Sequence, residues 1–289
     1  MKNRAKELLL KLNLVSEDTI EQFYPYVRDR KDVSVLRDAG SGIIFLNRTD
    51  HIDESYYEQL PSGSYWNGKN RDEALKNYQG DNEHRATQFA SLFVHKDVVD
   101  IACGTGGFLD LIKPKSKSVT GVELQEQMRA ELTALGYPMY RIAKDLPGSS
   151  FDVATLFYAL EHMLDPIATL SDIRKALRPG GVLIVEVPHA RDALLELESF
   201  KKFSLWSEHL ILHTKESLRA FLKEAGFIDI EVTGYQRYPL ANHLGWIATG
   251  APDGQNKFPQ LLDEQLDLKY KQLLMEHDRT DTLIAIAHT

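Results

Sequence analysis

Lys96-Asp-Val-Val-Asp-Ile-Ala-Cys-Gly-Thr-Gly-Gly107 decides the fold. Its first half is a short apolar run ending at Ala102, the length of a buried strand. Its second half is a glycine-rich turn that leads into a helix from Phe108 to Ile112. Downstream, Ser118 to Glu123 reads as the next strand, followed by a helix to Leu135 that Gly136 can end in the left-handed conformation. Phe151 to Leu156 is a buried strand, Leu164 to Leu177 a helix stopped by Arg178-Pro-Gly-Gly181, and Val182 to Val187 another buried strand. Ser217 to Ala225 reads as helix, while Phe227 to Thr233 and Asp281 to Ala287 read as strands. Upstream, Asn82 to Phe93 places Ala86, Phe89, Ala90 and Phe93 on one helical face. Alternation at βαβ spacing requires a mostly parallel sheet covered on both sides. The fold class is doubly wound α/β.

The 289 residues carry 34 Lys+Arg against 42 Asp+Glu, a formal net charge of −8. A composition of 43% hydrophobic and 26% charged residues is that of a globular chain and excludes a disordered or fibrous one. The single cysteine, Cys103, leaves no disulfide framework and no multi-cysteine zinc site. The acidic balance argues against a nucleic-acid partner, since phosphate neutralisation needs a concentrated basic surface. Lys11 and Asn13 interrupt the apolar start, so a signal peptide is not expected; nowhere do about 18 apolar residues run together, so no membrane span is expected either. The expected compartment is the cytoplasm.

Residues 1–30, with Leu8, Leu9, Leu12 and Leu14, read as helix. Val33 to Leu36 and Ile43 to Leu46 flank a glycine-containing turn and read as a β-hairpin. Tyr56, Tyr57, Tyr65 and Trp66 follow in a loop-rich segment that either lines a pocket or packs the amino-terminal piece onto the main domain. The organisation expected is an extension over 1–80 and a main domain over 81–289, with an insertion at 236–280 before the last strand.

Ligands of such sheets sit at the carboxyl ends of the strands, where Gly104 and Gly106 let a ligand approach the backbone. Leu109 stands where a dinucleotide-binding turn would need its third glycine, and no Lys-Ser/Thr pair follows as in a phosphate loop. Glu123 ends the neighbouring strand, where its carboxylate can accept both hydroxyls of a ribose.

The ordered set VVDIACGTGGFLDLI, VTGVELQEQM, FDVATLFYALEHMLDP and LRPGGVLIVEVP resembles the class I S-adenosylmethionine-dependent methyltransferases. That resemblance implies a Rossmann-like seven-stranded sheet with a small α+β extension before it. S-adenosyl-L-methionine is the implied cofactor and S-adenosyl-L-homocysteine the product. It places Asp100, Ala102, Cys103, Gly104 and Gly106 at the methionine end, Glu123 on the ribose and Leu124 on the adenine. Phe157 to His162 would border cofactor and substrate, and Arg85 is a candidate for the cofactor carboxylate. Ala102 replaces a glycine more usual in the family, and the nearest carboxylate for the adenine amino group, Asp145, is displaced from the family position.

The acceptor is read as a small molecule. The Asp/Asn-Pro-Pro-Tyr/Phe signature of nucleic-acid amine methylation is absent, Leu156-Phe-Tyr-Ala159 standing in its place. An oxygen or carbon acceptor calls for a base, and histidine titrates in the right range. WSEHLILHTKESLRAFLKEAGF, beginning at Trp206, is similar to a stretch of nucleotide-sugar C-methyltransferases, which implies His209 as base with Glu208 orienting it. His189, in Val187-Pro-His-Ala190, is a further catalytic candidate, and His162 sits near the adenosyl group. The hairpin resembles a module that often carries paired cysteines for zinc in those relatives; Asp38 and Ser41 stand in their place, so no zinc is expected there, and since Asp152 and Asp165 do not make a carboxylate set, metal-assisted transfer is not expected either. Tyr238, Asn242, His243 and Trp246 in the insertion fit either a saccharide face or a homodimer contact. The function expected is methylation of a sugar or nucleotide sugar in glycan or secondary metabolism. The rivals are another small-molecule acceptor, such as a quinone or lipid headgroup, and a non-catalytic cofactor-binding partner subunit.

Overall fold

The computed structural model describes residues 3–53, 55–59 and 70–289. Its main sheet contains seven strands: β4 (Asp97–Ile101), β5 (Ser118–Val122), β6 (Met139–Tyr140), β7 (Phe151–Phe157), β8 (Leu177–Pro188), β10 (Ile228–Tyr235) and β11 (Thr282–His288). They lie in the order β10-β11-β8-β7-β4-β5-β6, with β6, β5, β4, β7 and β8 mutually parallel and β11 antiparallel to both neighbours. This is the doubly wound, seven-stranded, mostly parallel sheet of Rossmann-like methyltransferases.

Why both faces are covered follows from strand period two. Val98, Val153, Ile184 and Ile284 join one apolar cluster with Phe93, Phe108 and Leu109. Their chain neighbours Val99, Ala154, Val185 and Ala285 join the cluster on the other face. Helices α3 (Arg71–Gln88), α4 (Ala90–Phe93), α5 (Gly107–Ile112), α6 (Glu126–Ala134), α7 (Pro166–Ala176) and α9 (Lys215–Glu224) supply the cover. Their ends obey local chemistry: Asp165 accepts from the Ala168 amide ahead of Pro166, and Thr214 with Ser217 forms a capping box on α9. Gly136 ends the segment after α6 at φ +84°, as its position predicts.

The amino-terminal reading needs correction. The helix expected over residues 1–30 is confined to α1 (Arg4–Lys11), capped by Asn3. Asn13 turns left-handed at φ 54°, and Ile20–Tyr24, rich in β-formers, pairs as β1 with β2 (Val35–Asp38). The hairpin partner of β2 is β3 (Ile44–Leu46), as expected from the sequence. Asp38 locks this hairpin: its carboxylate accepts from the Ser41 amide at 2.7 Å, the Ser41 hydroxyl at 2.8 Å, the Ser16 amide at 3.3 Å and the Thr19 hydroxyl.

The fourth strand of this antiparallel sheet comes from far along the chain. β9 (Ile211–Leu212) pairs with β3, and the small sheet runs β1-β2-β3-β9. Leu9, Val27, Ile43 and Leu46 share one apolar core with Leu205, Leu210 and Leu212 and with the main sheet. Helix α3 runs across residues 80 and 81, where the domain boundary was expected. The remaining helices are α2 (Tyr56–Gln59), α8 (Glu198–Ser204), α10 (Leu240–Thr249), α11 (Gly254–Lys257) and α12 (Glu264–Glu276). Helix α10 occupies sequence that reads as turn-rich; Pro239 opens it and left-handed Gly250 closes it. Among the described residues, no helix is long and apolar enough to cross a membrane.

Candidate active site

The turn after β4 carries the first half of the site. Ala102, Gly104 and Gly106 all have left-handed φ, at 57°, 55° and 72°. At Gly106 a Cβ would stand 2.7 Å from Leu132 Cδ2, so glycine is required there on two counts. Ala102 fits spatially but holds a backbone conformation that costs an L-residue about 1–2 kcal/mol.

Glu123, at the end of β5, clasps this turn. One carboxylate oxygen accepts from the Gly104 amide at 3.0 Å and the other from the Gln125 amide at 2.9 Å. Each oxygen has a second lone pair, so the carboxylate can still take ribose hydroxyls. Arg129 donates to the Glu123 carbonyl at 2.8 Å and also to that of Leu124, fixing the strand exit beside the turn. Asp100 is buried and receives the Thr155 hydroxyl at 2.7 Å. Burial pushes its carboxyl up to about 7, and burial raises Glu123 as well. Two acids held up by desolvation favour a cationic ligand, which would restore their charge.

Arg85 of α3 donates to Glu186 of β8 at 2.7 Å, with its guanidinium 4.7 Å from the centre of the Phe157 ring. Phe157 in turn lies between Phe89 and Phe108. Burial pushes the Cys103 thiol well up, so Cys103 offers size and shape rather than a thiolate. Asp145, the displaced adenine candidate, is exposed. Asp100, the turn Ala102 to Gly106, Glu123, Leu124 and Phe157 thus lie at the ends of β4, β5 and β7, with Arg85 of α3 against Glu186 of β8.

The second half forms where the short 3₁₀ turn Leu160–His162 follows β7. Leu210 pins it from both sides: its amide donates to the Glu161 carbonyl at 2.8 Å, and its carbonyl accepts from the Leu46 amide at 3.2 Å. This sets His209 against His162, ring centres 5.0 Å apart. His162 Nε2 lies 3.8 Å from Glu161 Oε1, and Glu161 is 1% exposed with neither carboxylate oxygen hydrogen-bonded. Burial raises Glu161 to about 8 and lowers His209 to about 4. Tyr57 Oη approaches His162 Nδ1 at 3.3 Å, and the Tyr57 carbonyl accepts from Gln125 at 3.4 Å, joining this half to the cofactor turn.

Glu208 and His209, neighbours in sequence, part company. Glu208 accepts from the Tyr56 hydroxyl at 2.9 Å, while His209 turns to His162 and Trp206. Among the described residues, no hydrogen bond or ion pair joins the two side chains. Glu161 is the acidic partner that sequence reading missed; its signal was the Glu-His pair directly after β7. His189 lies apart from this cluster: its Nδ1 donates to the Thr280 carbonyl at 2.9 Å, and Nε2 is 3.8 Å from Asp278. In the insertion, Asn242, His243 and Trp246 are buried within α10, His243 against Tyr270 and Trp246 against Phe200 and Phe203. Of that quartet only Tyr238 is exposed, so the four do not form one saccharide or dimer face. Tyr65 and Trp66 lie outside the described residues.

Fold and cofactor cradle together define the class I methyltransferases. A family model for a methyltransferase domain matches residues 71–232, more than half of the 289, and the chain belongs to that family. It is an enzyme of the methyl-transferring class, with S-adenosylmethionine as cofactor. A probable S-adenosylmethionine-dependent methyltransferase of Mycolicibacterium smegmatis is 34% identical over 100 residues, 32% of this chain and only 38% of that relative. A ubiquinone biosynthesis O-methyltransferase of Pseudomonas aeruginosa is 25% identical over 225 residues, 68% of this chain and 92% of that one. Among solved structures, a SAM-dependent methyltransferase from Archaeoglobus fulgidus shares the fold at a TM-score of 0.52 and 18% identity, over 78% of this chain and 97% of that one. Arg85, Asp100 and Glu123 fit the cofactor's charge and hydroxyls: buried carboxylates for a sulfonium and a ribose, and a guanidinium for a carboxylate.

Proposed function

We propose that this enzyme methylates a hydroxyl oxygen on a small ring-bearing acceptor, first among them a sugar or nucleotide sugar. The observation that carries this reading is the Glu161–His162–His209 cluster, tied to the cofactor turn through Tyr57 and Gln125. In-line displacement needs an acceptor oxygen about 3–3.5 Å from the sulfonium methyl and a means of drawing off its proton. The cluster supplies the second beside the cofactor. The Tyr57 ring, edge-on to His162 at 6.0 Å, adds an aromatic surface of the kind that packs against a ring acceptor. The sugar reading is further supported by the likeness of the segment around His209 to nucleotide-sugar methyltransferases.

A second reading, a phenolic or quinol acceptor, is favoured by the P. aeruginosa relative, whose name assigns it to ubiquinone biosynthesis. The test is mass spectrometry on reactions with S-adenosylmethionine and two panels, nucleotide sugars and dihydroxyphenols, scored for gain of one methylene. Gain in the sugar panel alone supports the first reading, and gain in the phenol panel alone replaces it with the second. No gain in either, with cofactor bound, points to the partner-subunit rival.

A further inference from the structure

We propose that Glu161, His162 and His209 form an open binding site for a divalent transition-metal ion. One carboxylate oxygen and two imidazole nitrogens lie within 4.8 Å of one another. Two imidazoles and one carboxylate are a donor set that zinc and its first-row neighbours accept, leaving further positions for water or substrate. Ligand bonds of about 2.0–2.2 Å require the three donors to draw together slightly, which imidazole rotation allows.

The second observation is Glu161 itself. Its carboxyl is 1% exposed, and both oxygens lack a hydrogen bond. A carboxyl placed so is costly unless a partner compensates it. His162 at 3.8 Å is too far for a hydrogen bond but suitably placed as a fellow ligand. His209 is partly exposed, which leaves the cluster a way in for an ion. Backbone holds both residues in place, the Leu210 amide on the Glu161 carbonyl and the His209 amide on the Trp206 carbonyl, and the Glu161 carboxylate oxygens remain uncommitted. The sequence concealed this because the third donor arrives from the β9 segment, across the small sheet.

The consequence for catalysis rests on the oxygen-acceptor reading above; the site itself does not. An acceptor hydroxyl on the ion would ionise more readily, its proton leaving to water. The new carbon–oxygen bond would form as the carbon–sulfur bond breaks, leaving neutral S-adenosylhomocysteine. His209 then serves as a ligand in place of the general base expected from sequence.

The experiment is calorimetric titration of the tag-free full chain with zinc chloride, without cofactor or acceptor, alongside thermal melts. One ion per chain is expected, with a rise in melting temperature. Glu161→Gln and His209→Asn should each weaken binding at least about tenfold and lose the thermal shift. His277→Asn, at an exposed site, should change neither. Glu161→Gln preserves shape, and its melt in the absence of zinc shows that it folds. Absence of binding up to about 1 mM zinc, or equal binding by the Glu161→Gln/His209→Asn double variant, overturns the proposal. Zinc binding without methylation of either acceptor panel would leave the site standing and remove the oxygen-acceptor reading alone.

Discussion

The half of the site proposed for the cofactor and the half proposed for the acceptor are assembled in different ways. The cofactor half is made of strand ends: Asp100 as the fourth residue of β4, Glu123 directly after β5, Phe157 closing β7. Parallel register between β4 and β5, with Ile101 opposite Val122, places these groups side by side. The acceptor half is made of pieces remote in sequence, His162 after β7, His209 before β9, and Tyr57 from the amino-terminal segment. Its geometry depends on a two-residue ladder between β3 and β9. Regular sheet geometry therefore positions the residues proposed to hold the cofactor, and irregular loop docking positions those proposed to meet the acceptor.

The largest effect separates the two halves. His209→Ala should lower turnover by about 10²–10⁴ while leaving cofactor affinity near normal, read by steady-state rates and calorimetry side by side. A matching loss of cofactor affinity would show that the halves are one unit. Glu123→Ala should do the reverse, weakening S-adenosylmethionine binding by roughly 10–100-fold as the charged acceptor for the ribose is lost. Unchanged affinity would move the ribose elsewhere.

A third comparison uses acid. His213, packed against Phe221 of α9, is held neutral by burial, its pKa lowered to about 3, with Nε2 unpartnered. The unfolded chain takes up a proton near pH 6.5 that the folded chain refuses until about 3. This contribution to stability is thus present above pH 6.5 and is lost progressively as pH falls from there towards 3. Melting temperature should fall over that interval, and the slope should flatten in His213→Gln. An unaltered slope would assign the acid limb to other groups. The smallest effect belongs to the cofactor turn: Ala102→Gly should stabilise the fold by about 1 kcal/mol in urea denaturation, by relieving left-handed strain. Destabilisation would mean that the alanine methyl packs to advantage.

The same division explains what could be read from sequence. The apolar runs of β4, β5, β7 and β8, with their glycine and proline stops, were legible because both faces of each strand are buried and the turns have local signatures. Glu123 was legible because its position follows from strand register. Other features were not legible from local pattern. The leucines of the first fourteen residues announce a helix, but nothing nearby states that it ends at Lys11 and that Ile20–Tyr24 enters a sheet. Glu208 and His209 are adjacent in sequence but not in space: the turn closed by the His209 amide on the Trp206 carbonyl sends Glu208 to Tyr56 and His209 to His162. Glu161 was hidden because its importance comes from a missing hydrogen bond. Helix α10 was obscured by glycine and aromatic residues whose role is internal packing against Phe200 and Phe203.

Strand β11 lies between β8 and β10, paired with β8 over seven residues and with β10 on its other edge. During synthesis β8 and β10 are made before residues 282–288 exist. Until those residues emerge, both strands keep a raw edge with unsatisfied amides, a state open to misassociation. Completion of the sheet therefore waits on residues 282–288, and shielding by a chaperone would matter most before they dock.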